Sequence, residues 1–251
     1  MKSARKAYEE KDKNLSIKVH EHPESHKISK GKYSKAIVFG ALDGIITTFA
    51  LITASISADI LTVQILILGL AQIFADGFSM GFGEYLSSEI ERNYYNTEKK
   101  RERWECDNYL QGERDEMIDI YIKKGIDKDD AIQIVNLLSK NIDSFVDVMM
   151  IEELQLTAVD SAKESLKNGS VMFFSFLFFG FIPLVPYFFE KNDYQYMFSF
   201  ILTCILLFIL GIYGSIIGSQ KWYISGIKML IQGSISAGIA FSVSWVADKL
   251  I

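Results

Sequence analysis

Apolar and polar positions are sharply segregated along this chain. Residues 169–189 (GSVMFFSFLFFGFIPLVPYFF) and 196–218 (YMFSFILTCILLFILGIYGSIIG) contain no Asp, Glu, Lys or Arg. At about 1.5 Å per residue, each is long enough to cross a hydrocarbon core of about 30 Å. Three further apolar stretches, 37–60, 62–86 and 227–249, carry only scattered polar residues. The pattern predicts an all-α membrane protein with five transmembrane helices, the first two closely linked. A hydrophilic insertion of 82 residues, 87–168, separates the second span from the third. The expected organisation is a polar tail over 1–36, spans one and two over 37–86, the insertion, and spans three to five over 169–251.

The insertion reads as a cluster of three or four helices. The second span continues past residue 86 without a breaker, through SSEIERNYYNTEKKRERWECDNYLQ, to Gly112, where an interruption is expected. A second helix follows from about Glu113 to Lys124, ended by Gly125, and a third begins after Asp127 as its N-cap. The stretch IDSFVDVMMIEELQLTAVDSAKESLKN predicts a fourth that feeds the third span.

Composition sharpens this picture once it is divided by segment. The chain is 49% hydrophobic and 23% charged with a formal net charge of −5, ordinary averages; the charge-free runs exclude a soluble globular protein, and a count of two cysteines excludes a secreted disulfide scaffold. The tail holds 10 basic residues against 5 acidic; the insertion holds 12 against 19 and so a net −7. The linker between spans one and two has no Lys or Arg, and residues 190–195 only Lys191. Lys and Arg stay on the cytosolic side, so the tail and the insertion are expected there, with the C-terminus lumenal. No cleavable signal peptide is legible in the tail. Trp222, Tyr223, Trp245 and the Tyr187–Tyr196 group suggest anchors at the membrane surface.

The costliest side chains are acids inside the first two spans. An ionisable group at the bilayer centre costs about 2.5–3.5 kcal/mol, so Asp43 and Asp76 require a compensating interaction. Asp43 and Met80 are each placed roughly 8 Å from the midplane toward the cytosol, at matching depth. A carboxylate and a thioether at one level suit a borderline divalent ion such as Fe²⁺ better than Ca²⁺ or Mg²⁺. Gln72, Asp76, Met80 and Glu84 recur every four residues and form one stripe from the membrane centre to the cytosolic surface. These five residues are the candidate transport path.

A second constellation lies in the insertion. Glu102 and Glu105, Glu113 and Glu116, and Met149, Met150 and Glu153 each fall on one helical face, where like charges repel unless a cation neutralises them. Histidine is absent from 87–168 and occurs only as His20, His22 and His26 in the tail, where a solvated segment is the plainer reading. Cys106 and Cys204 read as a reduced thiol and a small packed residue.

The signatures GALDGIITTFAL and GLAQIFADGFSMGFGEYLSSE, followed by a Glu-rich insertion with MMxxEL, resemble the vacuolar iron transporters, proton-coupled Fe²⁺ exporters of plants, fungi and protists. The resemblance covers about residues 32–250. It implies five membrane helices with a cytosolic three-helix metal-binding domain, assembled as a homodimer with the ion path between the two first helices. It also implies that Asp43 and Met80 line the path and that Glu102, Glu105, Glu113, Glu116, Met149, Met150 and Glu153 are cytosolic metal ligands. Gln72 stands where some relatives carry Glu, and Asp76 where many carry Gly, which moves the intramembrane carboxylate by one turn.

The expectation is a metal/proton antiporter, not an enzyme, that moves Fe²⁺ from the cytosol into an acidic organelle, most simply the vacuole. Mn²⁺, Zn²⁺ and Co²⁺ are further candidate ions; lipid, protons and a second copy are the expected partners, with no organic cofactor and no nucleic acid. Two alternatives compete. A membrane-anchored metal sensor or store has no use for Asp76, and a di-iron oxidase lacks the Glu-x-x-His pairs of ferritin-like bundles.

Overall fold

The computed structural model describes residues 11–13, 17, 33–189, 194–218 and 221–250, and among them the secondary structure is entirely helical. Seven α-helices follow residue 33: α1 (Ser34–Ser57), α2 (Thr62–Lys123), α3 (Lys128–Leu138), α4 (Ile142–Glu152), α5 (Ala162–Phe181), α6 (Gln195–Gly218) and α7 (Trp222–Leu250). A 3-10 helix, Ile182–Phe188, extends α5. Among the described residues, five helical segments are long and apolar enough to cross a membrane: α1, α2, α5 with its 3-10 extension, α6 and α7. The His20, His22 and His26 tract lies outside the described residues. By its internal contacts the chain divides into two compact units, one of residues 1–73 with 175–251 and one of 74–174.

In the first unit, α1 is the most enclosed span and contributes Ala41, Ile45 and Ile46 to a core closed by Leu207 and Leu210 of α6. Apolar burial alone cannot hold helices together in lipid, because the tails are as apolar as the side chains, so close approach and polar ties matter more. Both are present. A Cβ on Gly44 would lie 2.6 Å from the Phe176 carbonyl oxygen, so α1 and α5 touch backbone to backbone beside Asp43. The Ser175 hydroxyl donates to the Ile37 carbonyl at 2.8 Å, Ser244 of α7 to Ala54 of α1 at 2.8 Å, and Ser199 to Pro183 at 2.8 Å. The 3-10 geometry after Phe181 follows from Pro183 and Pro186, which remove two backbone donors. It carries Tyr187 inward to 4% exposure, so this ring is not a surface anchor, whereas Trp222, Tyr223 and Trp245 are exposed.

In the second unit, α3, α4 and the later part of α2 enclose Cys106, Met117, Tyr121, Ala131, Val135, Phe145, Val146, Met149 and Met150. Asp127 caps α3 by accepting from the Asp129 N–H at 2.9 Å, and Asn141 caps α4 by accepting from the Ser144 N–H at 3.1 Å. Gly125, at φ +93, ends α2. Two expectations are corrected. The break in α2 falls at Tyr109 (φ −146, ψ 58), not at Gly112, which is itself helical. Gly112 matters because it leaves space for the displaced ring, since a Cβ there would lie 2.5 Å from Tyr109 Cδ1. The fourth helix also stops at Glu152 instead of running on into the third span. Gln155 takes φ +55, the Leu156 N–H closes back on the Met150 carbonyl at 2.7 Å, and Leu154 and Leu156 pack on the core. That local closure satisfies the helix end.

Candidate metal centre

Among the described residues, the bend at Tyr109 brings two groups of acids together. Glu102 and Glu113 are 11 residues apart, about 16 Å along a straight helix and beyond the reach of two glutamate side chains. Yet carboxylate oxygens of Glu102, Glu105 and Glu113 lie within 4.8 Å of one another, as do those of Glu113, Glu116 and Glu153. Glu113 belongs to both triplets. The helix therefore folds back at Tyr109 so that its two arms, 62–108 and 110–123, present carboxylates to one another, and the C-cap of α4 adds Glu153.

Two of these acids are held away from water, and Glu116 is exposed. Glu102 is 1% exposed and Glu113 8%, and one buried oxygen each of Glu102 and Glu153 has no hydrogen-bond partner. Burial, then the Glu153 charge, push the Glu102 carboxyl up to about 7 against the opposing Arg101. Burial and the neighbouring Glu102, Glu116 and Glu105 raise Glu113 to about 7, and burial with Glu116 and Glu113 raises Glu153 to about 6. A divalent cation would reverse all three shifts by supplying the opposite charge and filling the unmet acceptor positions.

Met149 and Met150 are fully buried in the adjoining core. Cys106 donates its S–H to Met149 Sδ at 3.7 Å, and its thiol is pushed up to about 11 by burial and the Glu113 and Glu102 charges. Cys106 belongs to neither carboxylate triplet, so these sulfurs sit in the core that adjoins the oxygen donors. Three participants escape sequence reasoning: Tyr109, whose backbone makes the bend; Cys106, which contacts Met149; and Arg101, which pairs with Glu102 and Glu98. Two carried a signal, since Cys106 adjoins Glu105 and Arg101 adjoins Glu102, but only the folded arms show what they touch.

The residues expected along the membrane path are distributed between the units. Asp43, on α1, accepts from the Thr47 hydroxyl through its backbone carbonyl at 2.7 Å. Gln72 and Thr47 line a groove of about 430 Å³ in the first unit with Ser55 and Ser244, and the Gln72 side-chain oxygen is buried without a hydrogen-bond partner. Asp76, Met80 and Glu84 follow at four-residue spacing on α2 within the second unit; Asp76 is exposed, and Met80 and Glu84 are half-buried. Beside Met80, α2 and α5 approach backbone to backbone, where a Cβ on Gly169 would lie 2.3 Å from the Gly81 carbonyl oxygen.

A family model described as the VIT family matches residues 34–245. The chain belongs to the VIT family. This VIT-family chain is 41% identical over 264 residues to the "Vacuolar iron transporter" of Plasmodium falciparum (isolate 3D7), covering 99% of this chain and 96% of that protein. The "Vacuolar iron transporter" of Plasmodium berghei (strain Anka) is 41% identical over 254 residues, 95% and 93% of the respective chains. "Vacuolar iron transporter 1" of Arabidopsis thaliana is 30% identical over 228 residues, 90% of each. Membership therefore extends across the spans and the glutamate-bearing unit alike.

Proposed function

We propose that this protein carries Fe²⁺ from the cytosol into an acidic organelle in exchange for protons, and that the glutamate cluster receives the ion on the cytosolic side. The observation that carries the reading is the pair of carboxylate triplets sharing Glu113, in a chain that also has five apolar helices. The names of the relatives, vacuolar iron transporters, support iron as the cargo and an organelle as the destination.

The chemistry follows from the donors. Ligands must be deprotonated to hold metal, so ion and proton compete for the same oxygens. At neutral pH the raised carboxyls of Glu102, Glu113 and Glu153 give up protons as the cation arrives. From there the ion passes Glu84, Met80 and Asp76 on α2 toward Asp43 and Gln72. An acid lumen protonates those carboxylates and releases it. Asp76 is exposed on the single chain inside an apolar stretch, a position that costs about 2.5–3.5 kcal/mol facing lipid. That cost supports a homodimer in which a second copy covers this face and the path runs between protomers. Mn²⁺, Zn²⁺ and Co²⁺ fit the same donors and are expected to compete.

Uptake of Fe²⁺ into proteoliposomes with an acid interior tests the proposal. Flux is expected to collapse when the pH gradient is dissipated and to be lost in Asp43→Ala; flux that ignores both overturns it.

A further inference from the structure

Five glutamates this close repel one another when ionised, and the structure supplies one countercharge from within. Arg101 Nη2 donates to Glu102 Oε1 at 2.7 Å and pairs with Glu98 Oε2 at 2.9 Å. Its charge also acts on Glu105, Glu113 and Glu153. Several neighbouring bases are engaged elsewhere: Lys99 with Asp147, Arg103 with Asp107 and Asp143, Lys124 with Glu152, and Arg114 with the Ser139 hydroxyl.

We propose that Arg101 is the resident counter-ion of the glutamate cluster and competes with the arriving divalent cation for Glu102, so that it sets how tightly the centre holds metal. This rests on reading the cluster as a metal centre. Glu102 is 1% exposed and has one oxygen on Arg101 and the other without a partner, so an ion that takes both must share or displace the guanidinium. Two cations on one buried carboxylate repel strongly, and guanidinium has no acceptor with which to join a metal's ligand shell. Displacement is feasible because the Arg101 side chain is 49% exposed: its head can swing into water without being buried elsewhere, still near Glu98. A tethered monocation also acts as a threshold. A divalent ion outcompetes it by charge, whereas a monovalent ion such as K⁺ gains no such advantage, and the metal that does bind is held weakly enough to move on.

The test uses the full chain in detergent and Mn²⁺ as a redox-stable probe, by titration calorimetry at fixed pH, with melting in EDTA as a metal-free readout. Arg101→Gln is expected to bind Mn²⁺ about three- to tenfold more tightly and to melt at a lower temperature in EDTA. Arg101→Lys, which keeps the charge, should stay within about twofold of the wild type. Should Arg101→Gln not purify, Arg101→Met keeps the aliphatic stem and carries the same expectation. Equal or weaker Mn²⁺ binding by the neutral variants, or identical behaviour of the Lys and Gln variants, overturns the inference while leaving the metal centre intact. A wild-type protein that does not bind Mn²⁺ removes the centre and this inference with it.

Discussion

Glu113 is the residue on which the cluster turns, since it alone belongs to both carboxylate triplets. Glu113→Gln is expected to weaken Mn²⁺ binding by about tenfold or more, given that even residues behind the ligands cost about 10- to 100-fold. Glu116→Gln, at an exposed position in one triplet, should cost less. The metal-free protein should respond in the opposite sense, with Glu113→Gln raising its melting temperature by removing a buried, repelled charge. The same logic fixes the pH dependence. Glu102 and Glu113 rise from 4.5 to about 7 on folding, so between those values the folded chain holds more protons than the unfolded one. Stability of the metal-free unit from these groups is therefore fully present below pH 4.5 and lost as pH rises through about 7. Mn²⁺ affinity should rise over the same interval. Melting curves in EDTA and Mn²⁺ titrations at stepped pH check both directions, and parallel trends would contradict the assignment.

Among the elements, α2 carries the most consequence, because its bend converts a linear spacing into a cluster. Gly112 is the residue to change: a Cβ there meets the Tyr109 ring at 2.5 Å, so Gly112→Ala is expected to cost about 1–3 kcal/mol of stability and to weaken Mn²⁺ binding, although it touches no carboxylate. Denaturant unfolding paired with Mn²⁺ titration checks this; an unchanged affinity would separate the bend from the centre. Periodicity gives the grouping of Glu102 with Glu105 and of Glu113 with Glu116, and Asp127 announces the start of α3 through its side chain. The position of the bend is not legible in this way. Glycine is the stronger breaker by propensity, yet the chain turns at Tyr109, whose ring needs the space that Gly112 leaves, a tertiary fit rather than a local preference. The end of α4 was hidden for a similar reason, since a glutamine in a left-handed conformation and two packed leucines close it. Arg101 could be read as a charge but not as a partner, because its role depends on where the arms come to rest.

For the whole molecule, the apolar runs made the five spans evident, because lipid demands continuous apolar helix over a fixed length. The division into 1–73 with 175–251 and 74–174 has a thermodynamic consequence. Only the second unit contains the glutamate cluster, so Mn²⁺ should raise one calorimetric transition and leave the other in place. Scanning calorimetry of the intact protein with and without Mn²⁺ tests this, and a single transition that shifts as a whole would argue against it. The division also sets an order of events during synthesis. The second unit is one uninterrupted stretch, with its clustered glutamates drawn from residues 102–153, whereas the first needs segments from both ends of the chain. Domains fold as units as the chain emerges, at about 5–20 residues per second, and local contacts form before distant ones. The glutamate-bearing unit can therefore be complete while the last two spans are still being made, and on the proposed function a nascent chain is expected to bind metal before a path across the bilayer is assembled.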